Sequence, residues 1–312
     1  MDAHRAVQGL RARFYRRLGQ ALCVDELTDG TRGRLLEMGS YRSTVFEVFP
    51  FLFLDLFPSV TADQTLQLAY AGMLYMDYLR LEDAVTDGQP LGGRFIHAAI
   101  GGLVHEEALA TLRELLRGHE TFWPWLARYH QEYVAAVIRE QDVPARRPLA
   151  YTCAERDTIA ADKAAPGKAA LVALALLGGE TEPPAELGRS YNAFCISYQL
   201  YDDLLDWRQD YASGLYSYLV VQALDQWQCQ HDGKAEGQPA ADELGRVIHY
   251  GGLAEDELGE AQAYAEQVIT LVQGLGCPAW IATLRECQNL YARLSGDLVQ
   301  LRERGLTRQA RR

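Results

Sequence analysis

The sequence predicts an all-α protein, one domain of roughly ten helices given usual helix and loop lengths. Three observations predict it. Apolar residues recur at three- and four-residue spacing through 66–85, 106–116, 123–138, 153–177, 186–207, 258–275 and 280–301. Alternating strand-like runs bounded by tight turns are scarce. The breaks carry loop chemistry: DGQPLGG at 87–93, QDVPARRP at 141–148, GGETEPP at 178–184 and HDGKAEGQPA at 231–240. None is long enough to link two domains.

In chain order, the opening MDAHRAVQGLRARFYRRLG has no apolar centre of signal-peptide length. The run VFEVFPFLFLDLFPSV is interrupted by Glu47, Pro50, Asp55 and Pro58, so it reads as no membrane span. Segment 66–85 sets Leu66, Leu68, Ala71, Leu74, Tyr75, Tyr78 and Leu79 along a helix that runs into an acidic end. Segments 106–116 and 123–138 lie in the stretch that carries His97, His105, His119 and His130, which form neither a triad nor a metal set. Segment 186–207 brings Phe194, Ile196, Tyr198, Leu200 and Tyr201 up to four aspartates. The charged end LRERGLTRQARR reads as a frayed helix terminus.

With 312 residues, 48% of them hydrophobic and 23% charged, the chain has an ordinary soluble composition and a core able to hold a cavity. The net charge of −12 argues against nucleic acid and anionic membrane surfaces as partners, because both need basic patches. A small anion held through metal ions stays compatible with it. The scattered cysteines Cys23, Cys153, Cys195, Cys229, Cys277 and Cys287 show no zinc spacing and read as buried thiols in a reducing, cytoplasmic setting.

The chemistry concentrates in SYQLYDDLLDWRQDYASG. On a helix, Asp202 aligns with Asp206 and Asp206 with Asp210, while Asp203 lies one turn before Asp206. Like charges at these spacings repel, more strongly as burial lowers the dielectric. Either the stripe is a solvated acidic face, or divalent cations neutralise it. Oxygen-only ligands favour Mg²⁺ over zinc. A second set, Asp83 and Asp87 with Glu82 adjacent, ends the 66–85 helix, where the macrodipole disfavours negative charge. It is either a helix end entering a turn or a second metal-binding row. Two such rows facing each other across a cavity would hold several Mg²⁺ ions that clamp a diphosphate.

These motifs resemble the class I isoprenoid synthases, the trans-prenyl diphosphate synthases and class I terpene synthases. Asp83-Ala-Val-Thr-Asp87 is similar to their first aspartate-rich motif, and Asp202-Asp203-Leu-Leu-Asp206 to the second, DDxxD. Gly214 with Ser217 resembles the small-residue turn that follows, and 157–179 resembles the helix whose lysine touches diphosphate, with Lys163 the better match and Lys168 the alternative. The likeness spans about 39–219 and implies a single-domain antiparallel helical bundle around a central active-site cavity, with a homodimer as a candidate assembly. Two features of the chain-elongating members are absent. Only Arg42 stands where they carry a basic element, and no arginine pair follows Asp87. A second diphosphate would then lack cations.

The resemblance therefore implies a Mg²⁺-dependent terpene synthase that ionises one prenyl diphosphate, C15 or C20, and cyclises or rearranges the cation. A prenyltransferase, elongating or condensing, is the alternative, and a non-catalytic helical binding subunit is the reading from another class. The implied catalytic residues are Asp83, Asp87, Asp202, Asp203 and Asp206, with Asp210 added as a metal ligand. Diphosphate contacts fall to Arg42, Lys163, Lys168, Arg208 and Tyr216, and prenyl-tail contacts to Tyr75, Tyr78 and Tyr198. Arg208 is equally readable as half of a surface ion pair, and Tyr216 as packing at a helix start.

Overall fold

The structure is a computed structural model that describes residues 3–22, 45–86, 91–146, 149–231 and 237–309. Among the described residues it contains eleven helices and no strand. Contacts group the chain into two compact units. One comprises Met1–Trp125, Ala169–Pro183 and Gly276–Ala279; the other comprises Leu126–Lys168, Pro184–Leu275 and Trp280–Arg312.

The first unit holds α1 (Ala3–Ala21), α2 (Ala62–Thr86), α3 (Leu91–Leu115), the start of α4 (Phe122–Asp142) and nearly all of α6 (Lys168–Leu177). The broken apolar run of 45–60 forms a 3₁₀ turn over Phe49–Phe53, with Pro50 in its first turn. α2 starts where Thr61 and Gln64 cap one another: the Thr61 N–H donates to Gln64 Oε1 at 2.9 Å, and the Gln64 N–H donates to Thr61 Oγ1 at 3.2 Å. α2 then packs along α3.

α1 was not among the periodic segments of the sequence, because a cation sits on its buried face. Val7 joins Ala69 and Met73 of α2. Fully buried Arg11 donates to both carboxylate oxygens of Asp77, at 2.7 and 2.6 Å, and the Tyr15 hydroxyl adds a bond of 2.8 Å. The fork of Arg11 supplies the geometry that makes such a pair tolerable away from water.

The second unit holds most of α4, α5 (Cys153–Lys163), α7 (Ala185–Ser213), α8 (Tyr218–Gln230), α9 (Ala241–Tyr250), α10 (Leu253–Val272) and nearly all of α11 (Pro278–Gln309). α7 lies along α10. Ile196 and Leu200 meet Leu258, Ala261 and Tyr291 in a buried cluster, and the Ser197 hydroxyl donates to the Ala261 carbonyl at 2.7 Å. Further along α7, Trp207 packs among Leu219, Val220, Leu244 and Ile248 of α8 and α9. These two helices, 13 and 10 residues long, were not among the periodic segments of the sequence.

The periodic stretch 153–177 is two helices rather than one. Pro166, which lacks an N–H, and Gly167 form a 3₁₀ turn between α5 and α6. A Cβ at Gly167 would fall on the Tyr191 hydroxyl, so close approach of α7 requires glycine there. α5 itself begins at a reciprocal cap between Thr152 and Glu155.

Among the described residues, no helix is long and apolar enough to cross a membrane. The cysteines depart from the expected burial. Cys195 and Cys277 are buried and Cys287 is half-buried, but Cys153 and Cys229 are exposed.

Candidate metal centre

α7 runs without a break through the acidic motif and stops at Gly214, whose φ of 81° is the left-handed C-cap that glycine adopts most readily. Its helical period turns the aspartate spacing into a site. One carboxylate oxygen each from Asp203, Asp206 and Asp210 lie within 4.8 Å of one another. Asp203 is buried and the other two half-buried. Gln199, one turn earlier, fixes Asp203 by donating from Nε2 to Oδ1 at 2.6 Å.

The electrostatics match. Burial raises the Asp206 carboxyl to about 6, with the Asp202 charge adding to it. Burial and then the Asp206 charge raise Asp210 to about 7. Asp202 is also raised by burial. Asp203 is raised well above the carboxylate range by burial, aided by the charges of Glu257, Asp210 and Asp206 and opposed by the Gln199 bond. Three oxygens converge, and burial with mutual repulsion raises the proton affinity of each carboxyl.

The residues fit a divalent cation. Asp206 Oδ1 is buried and accepts no hydrogen bond from the described residues, so a ligand position stands ready there. The donors are carboxylate oxygens, which suit Mg²⁺.

Glu257 of α10 was not legible as part of this environment. It is 5% exposed, its Oε2 has no hydrogen-bond partner among the described residues, and burial raises it to about 8. No motif spacing marks it. Gln199, by contrast, stands four residues before Asp203, a spacing that could have found it.

The other expected residues distribute unevenly. Lys163 is drawn to the aspartates: its charge opposes the rise of Asp202, Asp206 and Asp210, while its ammonium pairs with Glu140. Lys168 instead pairs with Glu132 at 2.9 Å and lies over the Tyr129 ring, 4.8 Å from its centroid. Arg208 is not brought to the carboxylates. It is exposed, pairs with Asp242 at 3.0 Å and stacks on Trp207, because it lies on a different face of α7 from Asp206. Tyr216 stacks against Tyr211 and accepts a 2.6 Å bond from Gln238. Tyr198 lies between Phe194 and Tyr201, with ring centroids 6.1 and 6.4 Å away.

In the first unit, Asp83 is half-buried near the end of α2. Tyr75 and Tyr78 stand on the same helix in edge contact, and His105 of α3 stacks on Tyr78 with centroids 4.2 Å apart. Arg42 and Asp87 lie outside the described residues.

No family model matches the sequence, and a search of curated proteins finds no match either. Solved structures do match. The octaprenyl pyrophosphate synthase of Helicobacter pylori is 16% identical, with a TM-score of 0.70, covering 91% of this chain and 97% of that one. The geranylgeranyl pyrophosphate synthase of Lactobacillus brevis is 17% identical, with a TM-score of 0.70, covering 93% and 96%. A polyprenyl synthase of Caulobacter crescentus, solved with calcium and isoprenyl diphosphate, is 17% identical, with a TM-score of 0.63, covering 93% and 97%. The chain has the class I isoprenoid synthase fold.

Within the isoprenoid synthase fold, all three of these neighbours are named as synthases of prenyl chains. They match the prenyltransferase alternative better than the terpene synthase expected first.

Proposed function

We propose that this protein is a Mg²⁺-dependent enzyme of isoprenoid synthesis that transfers the prenyl group of an allylic diphosphate to an acceptor. The convergence of Asp203, Asp206 and Asp210 on α7 carries this reading, and the resemblance of the fold to prenyl synthases supports it.

The allylic C–O bond would break heterolytically, with the electron pair leaving on the diphosphate. The acceptor double bond then closes a new C–C bond and sheds a proton. Asp202, Asp203, Asp206 and Asp210 would hold Mg²⁺, with Asp83 and Asp87 as a second carboxylate set. Mg²⁺, when bound, supplies Lewis acidity toward the leaving oxygens. Lys163 and Arg42 add positive charge for the departing diphosphate. Tyr75, Tyr78 and Tyr198 offer aromatic faces to the prenyl chain and its cation, worth about 0.5–2 kcal/mol each, and help keep out water. We place the chain in the cytoplasm as one synthase domain, with a homodimer as its candidate assembly.

Cyclisation or rearrangement of a single C15 or C20 diphosphate is the second reading. The absence of an arginine pair after Asp87 favours it, since a second diphosphate needs compensating cations.

Incubation with C10, C15, C20 and C25 allylic diphosphates and Mg²⁺, with and without isopentenyl diphosphate, separates the readings. Transfer predicts diphosphate release only when the acceptor is added. Cyclic or rearranged hydrocarbons formed without it would establish the second reading. No product, together with no thermal stabilisation by Mg²⁺ and inorganic pyrophosphate, would leave a non-catalytic helical binding subunit and sink both.

A further inference from the structure

Besides the aspartate row, the second unit carries a cavity of about 400 Å³ between the end of α8 and α9. The described residues that line it include Trp227, Gln230, His231, Glu243, Arg246 and Tyr250. None of them belongs to the aspartate motif, and all lie within this one unit. The size suits a small organic ligand.

Three of these six side chains are aromatic. Trp227 is 7% exposed and belongs to the buried cluster around Trp207, so one wall of the cavity is part of the core. His231 lies against Trp227 with ring centroids 4.7 Å apart. Tyr250 is 55% exposed and leaves an aromatic surface to solvent. Aromatic side chains at a cavity gain most from a second flat ring laid against them.

The polar atoms define what the edge of that ring must carry. The Trp227 indole N–H is buried and finds no acceptor among the described residues, and a buried donor left unpaired is costly. His231 Nδ1 lies 2.8 Å from the Trp227 carbonyl oxygen. A carbonyl only accepts, so Nδ1 carries the proton, and the neutral ring keeps Nε2 as an acceptor. Glu243 Oε2 accepts from the Ala240 N–H at 3.1 Å, while its Oε1 stands 4.0 Å from the Arg246 guanidinium, too far for a hydrogen bond. The lining thus offers donors on Trp227 and Arg246 beside acceptors on His231 and Glu243, with one charge of each sign. An alkyl chain would leave these groups unanswered, and a simple anion would meet Glu243. A heteroaromatic ring with both donors and acceptors on its edge answers them together.

We propose that this cavity binds a nucleobase-type ring, such as a nucleoside presents, at a site separate from the metal centre. The inference goes beyond the proposed reaction and does not depend on it.

The test is ligand-observed NMR titration of the full-length protein with adenosine, inosine and cytidine, beside benzyl alcohol as a ring without edge heteroatoms. At least one nucleoside should bind saturably and more tightly than benzyl alcohol. Tyr250→Ala removes a stacking surface and should weaken that binding about tenfold. Arg246→Ala and Trp227→Phe, which removes the indole N–H and keeps an aromatic ring, should each weaken it by about the same factor. Tyr250 and Arg246 are largely exposed, so their variants keep the test decisive if Trp227→Phe fails to fold. Mg²⁺ with inorganic pyrophosphate should not displace the nucleoside. No saturable binding up to about 10 mM overturns the site, as does binding that Tyr250→Ala and Arg246→Ala leave unchanged. Displacement by Mg²⁺ and pyrophosphate would put the nucleoside in the metal centre instead and overturn the separate site. An equal Kd for benzyl alcohol would overturn the ligand class. None of these outcomes bears on the prenyl-transfer reading, whose own test is product formation.

Discussion

Asp206 shows how one side chain serves two conflicting demands. Its buried, unsatisfied oxygen and raised proton affinity weaken the metal-free protein and make it receptive to a cation. Asp206→Asn should therefore raise the melting temperature without metal, because a like charge leaves the row. It should also abolish stabilisation by Mg²⁺ and lower turnover by about a hundredfold or more, since a lost Lewis-acid contact is worth several kcal/mol. Calorimetric melting with and without Mg²⁺, beside a diphosphate-release assay, measures both. An unchanged Mg²⁺ response would remove Asp206 from the ligand set. The spacing of these aspartates was legible from the sequence because helical period is local. Glu140, Glu257 and the pairing of Arg208 with Asp242 were not, because each depends on a partner from a distant helix.

At the scale of elements, two contacts define how helices dock. Arg11 and Asp77 join α1 to α2 away from water. Asp77→Ala strands a buried guanidinium and should cost about 3–5 kcal/mol in urea unfolding, whereas Arg11→Met/Asp77→Leu should cost clearly less because no charge is left unpaired. Equal losses in the two proteins would show that packing of α1, not charge, dominates. Gly167 admits the Tyr191 ring between α5 and α6. Gly167→Ala should cost about 1–3 kcal/mol by overpacking, read from the same unfolding curves, and a neutral result would mean that Tyr191 can swing away. The sequence anticipated most long helices, but it overlooked α1, whose buried face carries a cation, and merged α5 with α6 across Pro166.

For the whole molecule, the raised carboxyls set a dependence on pH. Asp206 at about 6 and Asp210 at about 7 bind protons more tightly folded than unfolded. Their contribution therefore falls as pH rises through this window, and grows as pH drops through it toward the ordinary carboxylate range. Metal-free protein should melt higher at pH 5.5 than at pH 8 as far as this row decides it. The stabilisation given by Mg²⁺ should move the opposite way, shrinking as protons compete for the same oxygens. Melting across this range with and without Mg²⁺ is the measurement. A Mg²⁺ effect that stays constant down to pH 5.5 would place the ion elsewhere.

The helical architecture and the clustering of the α7 aspartates followed from the sequence alone, because periodicity, proline and glycine breaks, and helical spacing act within a few residues of one another. What only the tertiary structure decided is which charges stand alone and which are held. Lys163 and Lys168 each meet a glutamate of α4, Arg208 turns to α9, and Glu257 is buried from α10. Burial and pairing are set by residues far apart in the chain, and they determine whether a row of aspartates is a solvated face or a place for a metal ion.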